Sequence, residues 1–274
     1  MKVLIIGDME GVSGIVHWDQ VTGGEQMYAE GRRLYTEEIN AAIRGAFNGG
    51  ATQVVVVDSH GAGKKGTGYN FNTLSPETLD ERCEFVTHHG WANYLELLEE
   101  RPDACFLVGA HARGGTPNGV LSHTISSMHW WNIYINGRVV GEMGVLAALC
   151  GEFGTPIALV TGDDQTCKEA MDLLGEGLTT VQVKRGMSRF SARHIPPARA
   201  RGMIEAGAEA ATRKAKDLMP HVAAAPTEVK FQIVTADLMD PYRQIADLEF
   251  PDAQTVISRG KDFLEAWLRV APYK

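Results

Sequence analysis

Short apolar runs alternate along the chain with longer stretches in which apolar residues recur every three or four positions. Val3 to Ile6 is apolar and stops at Gly7-Asp8, the pattern of a buried first strand. Residues 25–48 predict a helix with Ile39, Ala42, Ile43, Ala46 and Phe47 on one face, stopped by Gly49-Gly50. Val54 to Val57 consists of β-branched residues, which predicts a strand buried on both faces. Cys105 to Val108 and Ile157 to Val160 predict two more strands, with Asp163-Asp164 capping the helix after the second. Trp131 to Ile135, Asn136-Gly137 and Arg138 to Val140 predict a hairpin with a tight turn, followed by a helix through Gly144 to Leu149. The stretch 199–217 reads as helical, and short strands near 229–234 and 254–257 precede a last helix from about residue 260.

This alternation predicts an α/β fold: a mostly parallel central sheet flanked by helices, with a smaller C-terminal α/β lobe. Pro196-Pro197 is the best break, dividing a metal-binding catalytic α/β body at 1–195 from a lobe at 196–274. The 274 residues, 44% of them hydrophobic, suffice for a substantial core in one large domain or two lobes. No apolar run approaches the roughly 20 residues needed to cross a bilayer. The first run is too short for a signal peptide, so a cytoplasmic protein is expected. A net charge of −8 argues against nucleic acid and anionic membranes as partners. The four cysteines, Cys83, Cys105, Cys150 and Cys167, form no close pair and read as free thiols.

Polar residues gather just after the strands: Asp8 and Glu10 after the first, Asp58, Ser59 and His60 after the second, His111 after the third. In open parallel sheets ligands bind beyond the carboxyl ends of the strands, so these residues can converge on one crevice. Carboxylates and imidazoles together make a ligand set for zinc or a similar ion. Each piece has a plainer reading. Asp8-Met-Glu10 fits a capped turn, His111 fits a satisfied core histidine, and Glu142 fits a carboxylate at a helix start. Finding three sets at successive strand ends favours a metal site. Asp58-Ser59-His60 is not a catalytic triad, because consecutive residues cannot align as nucleophile, base and orienter. The segment Gly114 to His123 is either an active-site loop ending in a catalytic His123 or a surface turn. The glycine-rich loop 61–68 lacks the Lys-Ser/Thr pair of a phosphate loop and reads as a substrate loop or lid.

These residues resemble the D-aminopeptidases of the M55 peptidase class. Asp8-Met-Glu10-Gly11 matches the signature S-x-D-x-E-G, with Ile6 where the family has Ser. Thr36-Glu-Glu38, Asp58-Ser-His60, His111-Ala-Arg113, Thr116-Pro117, Ser122-His123, Tyr134-Ile-Asn136, Gly141-Glu142 and Gly162-Asp-Asp164 follow in the family's order across about residues 1–200. The resemblance implies two zinc ions per subunit, replaceable by other divalent transition metals, on Asp8, Glu10, His60, His111 and Glu142, with Asp8 bridging. It implies a catalytic His123, acting as general acid or base or as nucleophile. It implies a decamer of two stacked five-membered rings and a substrate that is a short peptide or amino-acid amide with an N-terminal D-residue. Two alternatives stay open: an amidase or aminopeptidase for other small amides, including L-peptides, and a metal-binding protein without catalysis on the same fold.

Overall fold

The computed structural model describes residues 1–63, 71–88 and 94–271. Most of the glycine-rich loop, with Lys64 and Lys65, and His89 lie outside the described residues. Twelve strands are found among those described: β1 (Lys2–Gly7), β2 (Gln53–Asp58), β3 (Glu84–Val86), β4 (Ala104–Ala110), β5 (Trp130–Ile135), β6 (Arg138–Val140), β7 (Ile157–Asp163), β8 (Thr179–Ser188), β9 (Ser191–His194), β10 (Thr227–Ile233), β11 (Leu248–Glu249) and β12 (Thr255–Gly260). The helices are α1 (Trp18–Val21), α2 (Tyr28–Asn48), α3 (Leu95–Glu99), α4 (Glu142–Glu152), α5 (Asp164–Leu174), α6 (Pro197–Lys214), α7 (Asp240–Arg243) and α8 (Phe263–Leu268).

The expected central sheet is present. Its order is β3-β2-β1-β4-β7-β8-β9, with β1 near the middle, every pairing parallel except β8 with β9. β1, β2, β4 and β7 are buried along nearly their whole length, as strands covered on both faces must be. One face carries α2, whose Ile39, Ala42, Ile43 and Ala46 point inward, and α6, which packs on α2 and on β7 and β8. The other face carries α4. Its residues Glu142 to Gly151 are all buried, so this helix is apolar all round and has no solvent stripe. Burying side chains such as Val145, Leu146 and Leu149 contributes about 1.5–3 kcal/mol each.

A second sheet, entirely antiparallel, has the order β11-β12-β10-β5-β6. The predicted hairpin forms its edge, with Asn136 (φ 48°) and Gly137 (φ 80°) both in the left-handed region that a tight two-residue turn requires. Residues 196–274 thus contribute α6 to the parallel sheet, and β10 and β12 to the sheet that holds β5 and β6. Pro196 and Pro197 sit at the start of α6, where a proline's missing N–H costs nothing.

The periodicity did not reveal β8 and β9. Val181, Gln182 and Val183 alternate buried, exposed, buried as a half-buried strand should, but Gly162 pairs with Gln182 and Asp163 pairs with Lys184, so Val183 is an extra residue. This bulge turns Lys184 inward beside Val183, and its side chain is fully buried.

Candidate metal centre

All five candidate ligands lie at the carboxyl ends of β1, β2 and β4 or at the first turn of α4. The chain leaves β1 at Gly7 and passes over β4: Asp8 N–H donates to Val108 O (2.8 Å) and Gly11 N–H to Gly109 O (2.7 Å). A β-carbon on Gly11 would collide with the Ala110 carbonyl, and one on Gly109 (φ 77°) with the Asp8 carbonyl. Glycine at both positions lets the two strand ends touch, which brings Asp8 and Glu10 to His111.

His60 and His111 share one arrangement. His60 donates its Nε2–H to Val21 O (2.7 Å) and turns Nδ1 to Asp8 Oδ1 (2.9 Å) and Glu10 Oε2 (3.1 Å). His111 donates Nδ1–H to Ala112 O (3.0 Å) and turns Nε2 to Asp8 Oδ2 (3.4 Å) and Glu142 Oε2 (3.7 Å). In each ring the carbonyl fixes the tautomer of the neutral form, so the second nitrogen faces carboxylate oxygens with a lone pair. Lone pair against lone pair is repulsive unless a proton or a metal cation lies between. Glu10 Oε2 is buried and makes no hydrogen bond, although it is within ion-pair distance of His60. One ligand atom each from Asp8, Glu10 and His60 falls within 4.8 Å of the others, and so does one each from His111, His123 and Glu142. Between Asp8, His111 and Glu142 is a void of about 20 Å³ floored by Ile6, Leu107 and Leu146. That is room for one water-sized occupant. Donor chemistry, orphaned oxygen and space all fit divalent metal ions.

With protein groups alone, burial works against charge on both imidazoles but the carboxylates win. His60 is held well above its ordinary value, and His111 is pushed up to about 10. Burial raises Glu10 and Glu142, and for Glu10 the neighbouring Asp8 adds to it. Asp8 is lowered: burial opposes this, but its bond to His60 and the charge of His111 outweigh it.

His123 differs. Its ring stacks on His111 with centroids 4.0 Å apart and planes 15° from parallel, and its Nδ1–H donates to Leu121 O (2.9 Å). Burial, with His111 beside it, pushes it down to about 3, so the ring is neutral with an open lone pair on Nε2. It borders a cavity of about 240 Å³ lined also by Gly114 to Thr116, Ser122, Trp131 and Arg189. A larger cleft, about 300 Å³, lies between α5 and the hairpin around Arg138 and Lys168, and none of the six candidate residues lines it.

Several supporting residues escape the sequence pattern or play a different part from the one it suggests. Asp58 is buried and accepts from the backbone N–H of His60 (3.2 Å), from the Tyr35 hydroxyl (3.2 Å) and from the N–H of Thr73. It therefore shapes the turn at His60 without touching the imidazole. Asp163 caps α5 as expected, accepting from Thr166, and its other oxygen accepts from the Val120 N–H (2.7 Å), tethering the loop that carries His123. Glu38, within the Thr36-Glu-Glu38 motif, and Lys184, which no motif includes, are both buried beside the turn that follows Glu10. His17 caps α1, and His194 accepts from the Gly14 N–H.

A parallel sheet that gathers imidazoles and carboxylates at its strand ends has the layout of a metal-dependent hydrolase. A family model described as Peptidase M55, D-aminopeptidase, matches residues 1–270, and the chain belongs to that family of peptide-bond hydrolases. A D-aminopeptidase of Bacillus subtilis is 36% identical over 205 residues, covering 73% of this chain and 69% of the relative. The solved structure of the Zn-dependent D-aminopeptidase DppA from Bacillus subtilis, described as a self-compartmentalizing protease, superposes with a TM-score of 0.89 at 29% identity. The match covers 99% of this chain and 96% of that one. Among the described residues no helix is long and apolar enough to cross a membrane.

Proposed function

We propose that this chain is a zinc-dependent aminopeptidase that hydrolyses short peptides or amides with an N-terminal D-amino acid at a binuclear metal site. The observation that carries the reading is the shared arrangement of His60 and His111, each tied to a carbonyl by one nitrogen and facing carboxylates with the other. Asp8, Glu10 and His60 would hold one ion, and His111 and Glu142 the second. Asp8, with one oxygen toward each histidine, would serve both. Bound there, the ions would supply Lewis acidity toward the scissile carbonyl and the attacking water.

The chain's own residues do the rest. His123 Nε2, unprotonated at neutral pH, can accept a proton at the cavity edge and return it to the leaving amine. The Leu121 carbonyl keeps its ring in one tautomer, and Asp163 holds the loop beneath it. The cavity beside His123 receives the part of the substrate beyond the scissile bond. Arg189 lies over the Trp18 and Phe190 rings (5.6 Å each), with no carboxylate paired to it among the described residues. Its guanidinium suits the free carboxylate of a short peptide.

The self-compartmentalizing relative supports an oligomer, here proposed as a decamer of two five-membered rings. Trp131 (53% exposed), Met187 (64%) and Phe190 (50%) are apolar surface close to this cavity or to Arg189, the kind of surface that assembly covers.

Hydrolysis of D-alanyl-p-nitroanilide and its L-isomer by zinc-loaded and chelator-treated protein tests the reading. Chelator-sensitive cleavage of the D-isomer is expected. Cleavage of only the L-isomer would keep the metal site and remove the stereochemical claim. Two bound metals with no cleavage of any amide would remove the enzymatic reading.

A further inference from the structure

The segment Glu10 to Ile15 carries a candidate ligand at its start but belongs to no helix or strand. Beside a few backbone bonds, such as Gly11 N–H to Gly109 O, five of its backbone groups are taken up by side chains from three other elements. Lys184, on β8, is fully buried, and its Nζ donates to Glu10 O (2.5 Å), Val12 O (2.9 Å) and Ile15 O (2.8 Å). Glu38, on α2, accepts from the Ser13 N–H (2.9 Å), and His194, on β9, accepts from the Gly14 N–H (3.0 Å). Three carbonyls around one amine use all three protons of an ammonium. A neutral amine would turn its lone pair on one of them. A lysine buried in this way gives up the hydration of its charge, so an ammonium placed here must be compensated by what it orders.

We propose that Lys184 is a positioning residue for the metal centre: by fastening three carbonyls of the 10–15 turn, it holds the Glu10 carboxylate at His60 and Asp8 and so sets the affinity for zinc. The proposal rests on the reading of Asp8, Glu10 and His60 as metal ligands. It assigns Lys184 no contact with substrate or metal. The bulge at Val183 is what makes it possible, since a regular strand would direct Lys184 away from the turn.

Binding of zinc alone, read by competition with a chromophoric chelator, tests this on the native enzyme and on the Lys184→Gln and Lys184→Met variants. Their fold is checked by circular dichroism at the same temperature. Gln keeps two donors and Met keeps none, so the loss of zinc affinity should be smaller for Gln than for Met. The Met variant should lose on the order of 10–100-fold, the range for residues that orient ligands from behind. A merely structural role would lower the melting temperature of both variants and leave the zinc affinity of the folded protein within about twofold, the scatter of such a measurement, and that result overturns the proposal. Failure of the unmodified enzyme to bind zinc would instead sink the metal-site reading itself.

Should neither variant fold, the wild-type enzyme supplies the answer, because coupling is reciprocal. Amine-reactive labelling followed by mass spectrometry should modify Lys184 several-fold faster after zinc is removed, with exposed lysines as the internal reference. Unchanged labelling of Lys184 would overturn the proposal.

Discussion

The imidazole of His123 lies flat on that of His111, 4.0 Å between centroids, yet the two rings are driven in opposite directions. His111 faces Asp8 and Glu142 and is pushed up to about 10, whereas burial and the adjoining His111 push His123 down to about 3. One ring thus faces carboxylates as a metal ligand would, and the other stays neutral with the lone pair of its Nε2 open.

His123→Ala should therefore keep both metals and lose turnover by about 10²–10⁴-fold, the usual worth of a positioned general acid or base. Zinc content by mass spectrometry, alongside kcat, checks this. One ligand atom of His123 also lies within 4.8 Å of those of His111 and Glu142, so loss of one zinc in this variant would make His123 a ligand instead.

Asp8 faces both histidines, and Asp8→Ala should lose metal as well as activity. In the unmodified protein, zinc must displace the protons that the carboxylates hold on His60 and His111. Zinc binding at pH 7 should thus release protons, and affinity should fall as pH falls. Calorimetry in buffers of different ionisation enthalpy measures the release; heats independent of buffer would contradict it.

Arg189→Ala should raise KM for dipeptides and leave amino-acid amides almost unaffected, since only the former carry a carboxylate for the guanidinium. Comparing kcat/KM for D-alanyl-D-alanine and D-alaninamide reads the difference. Equal losses on both substrates would assign Arg189 to packing on Trp18.

Glu38 is pushed up by burial from 4.5 to about 7, against the Ser13 N–H and the Lys184 charge that lower it. Its folded value exceeds its unfolded one, so its contribution to stability is fully present below pH 4.5 and is lost as pH rises through about 7. Glu38→Gln still accepts from Ser13 but cannot ionise. The variant should gain on wild type by about 3 kcal/mol between pH 4 and pH 8, since each tenfold change in a protonation equilibrium is worth about 1.4 kcal/mol. Urea midpoints across that range measure it, and parallel curves would show that Glu38 does not titrate.

Much of the architecture is readable from the sequence, because the strands around the site are buried on both faces and write themselves as unbroken apolar runs: Val3 to Ile6, Val54 to Val57, Cys105 to Val108. The residues that end such runs are placed by the sheet itself, which is why Asp8, His60 and His111 can be named without coordinates. Lys184 cannot, because its inward direction depends on a one-residue bulge that alternation conceals. Nor can the partnership of β5 with β10, whose residues are about a hundred positions apart and whose pairing no local pattern encodes. Asp163 is half legible: its capping role shows in the sequence, its grip on Val120 only in three dimensions.

The small antiparallel sheet matters to the order in which the protein can mature. Glu142 opens α4 directly after β6, and β6 is held through β5 by β10, which is held in turn by β12. A nascent chain that has emerged only as far as α5 already contains all five candidate ligands but not the strands that anchor the last of them. On the proposed reading, the first turn of α4 and its Glu142 would be firmly seated only once residues as far as Gly260 have been made, so the second metal position would be completed later than the first.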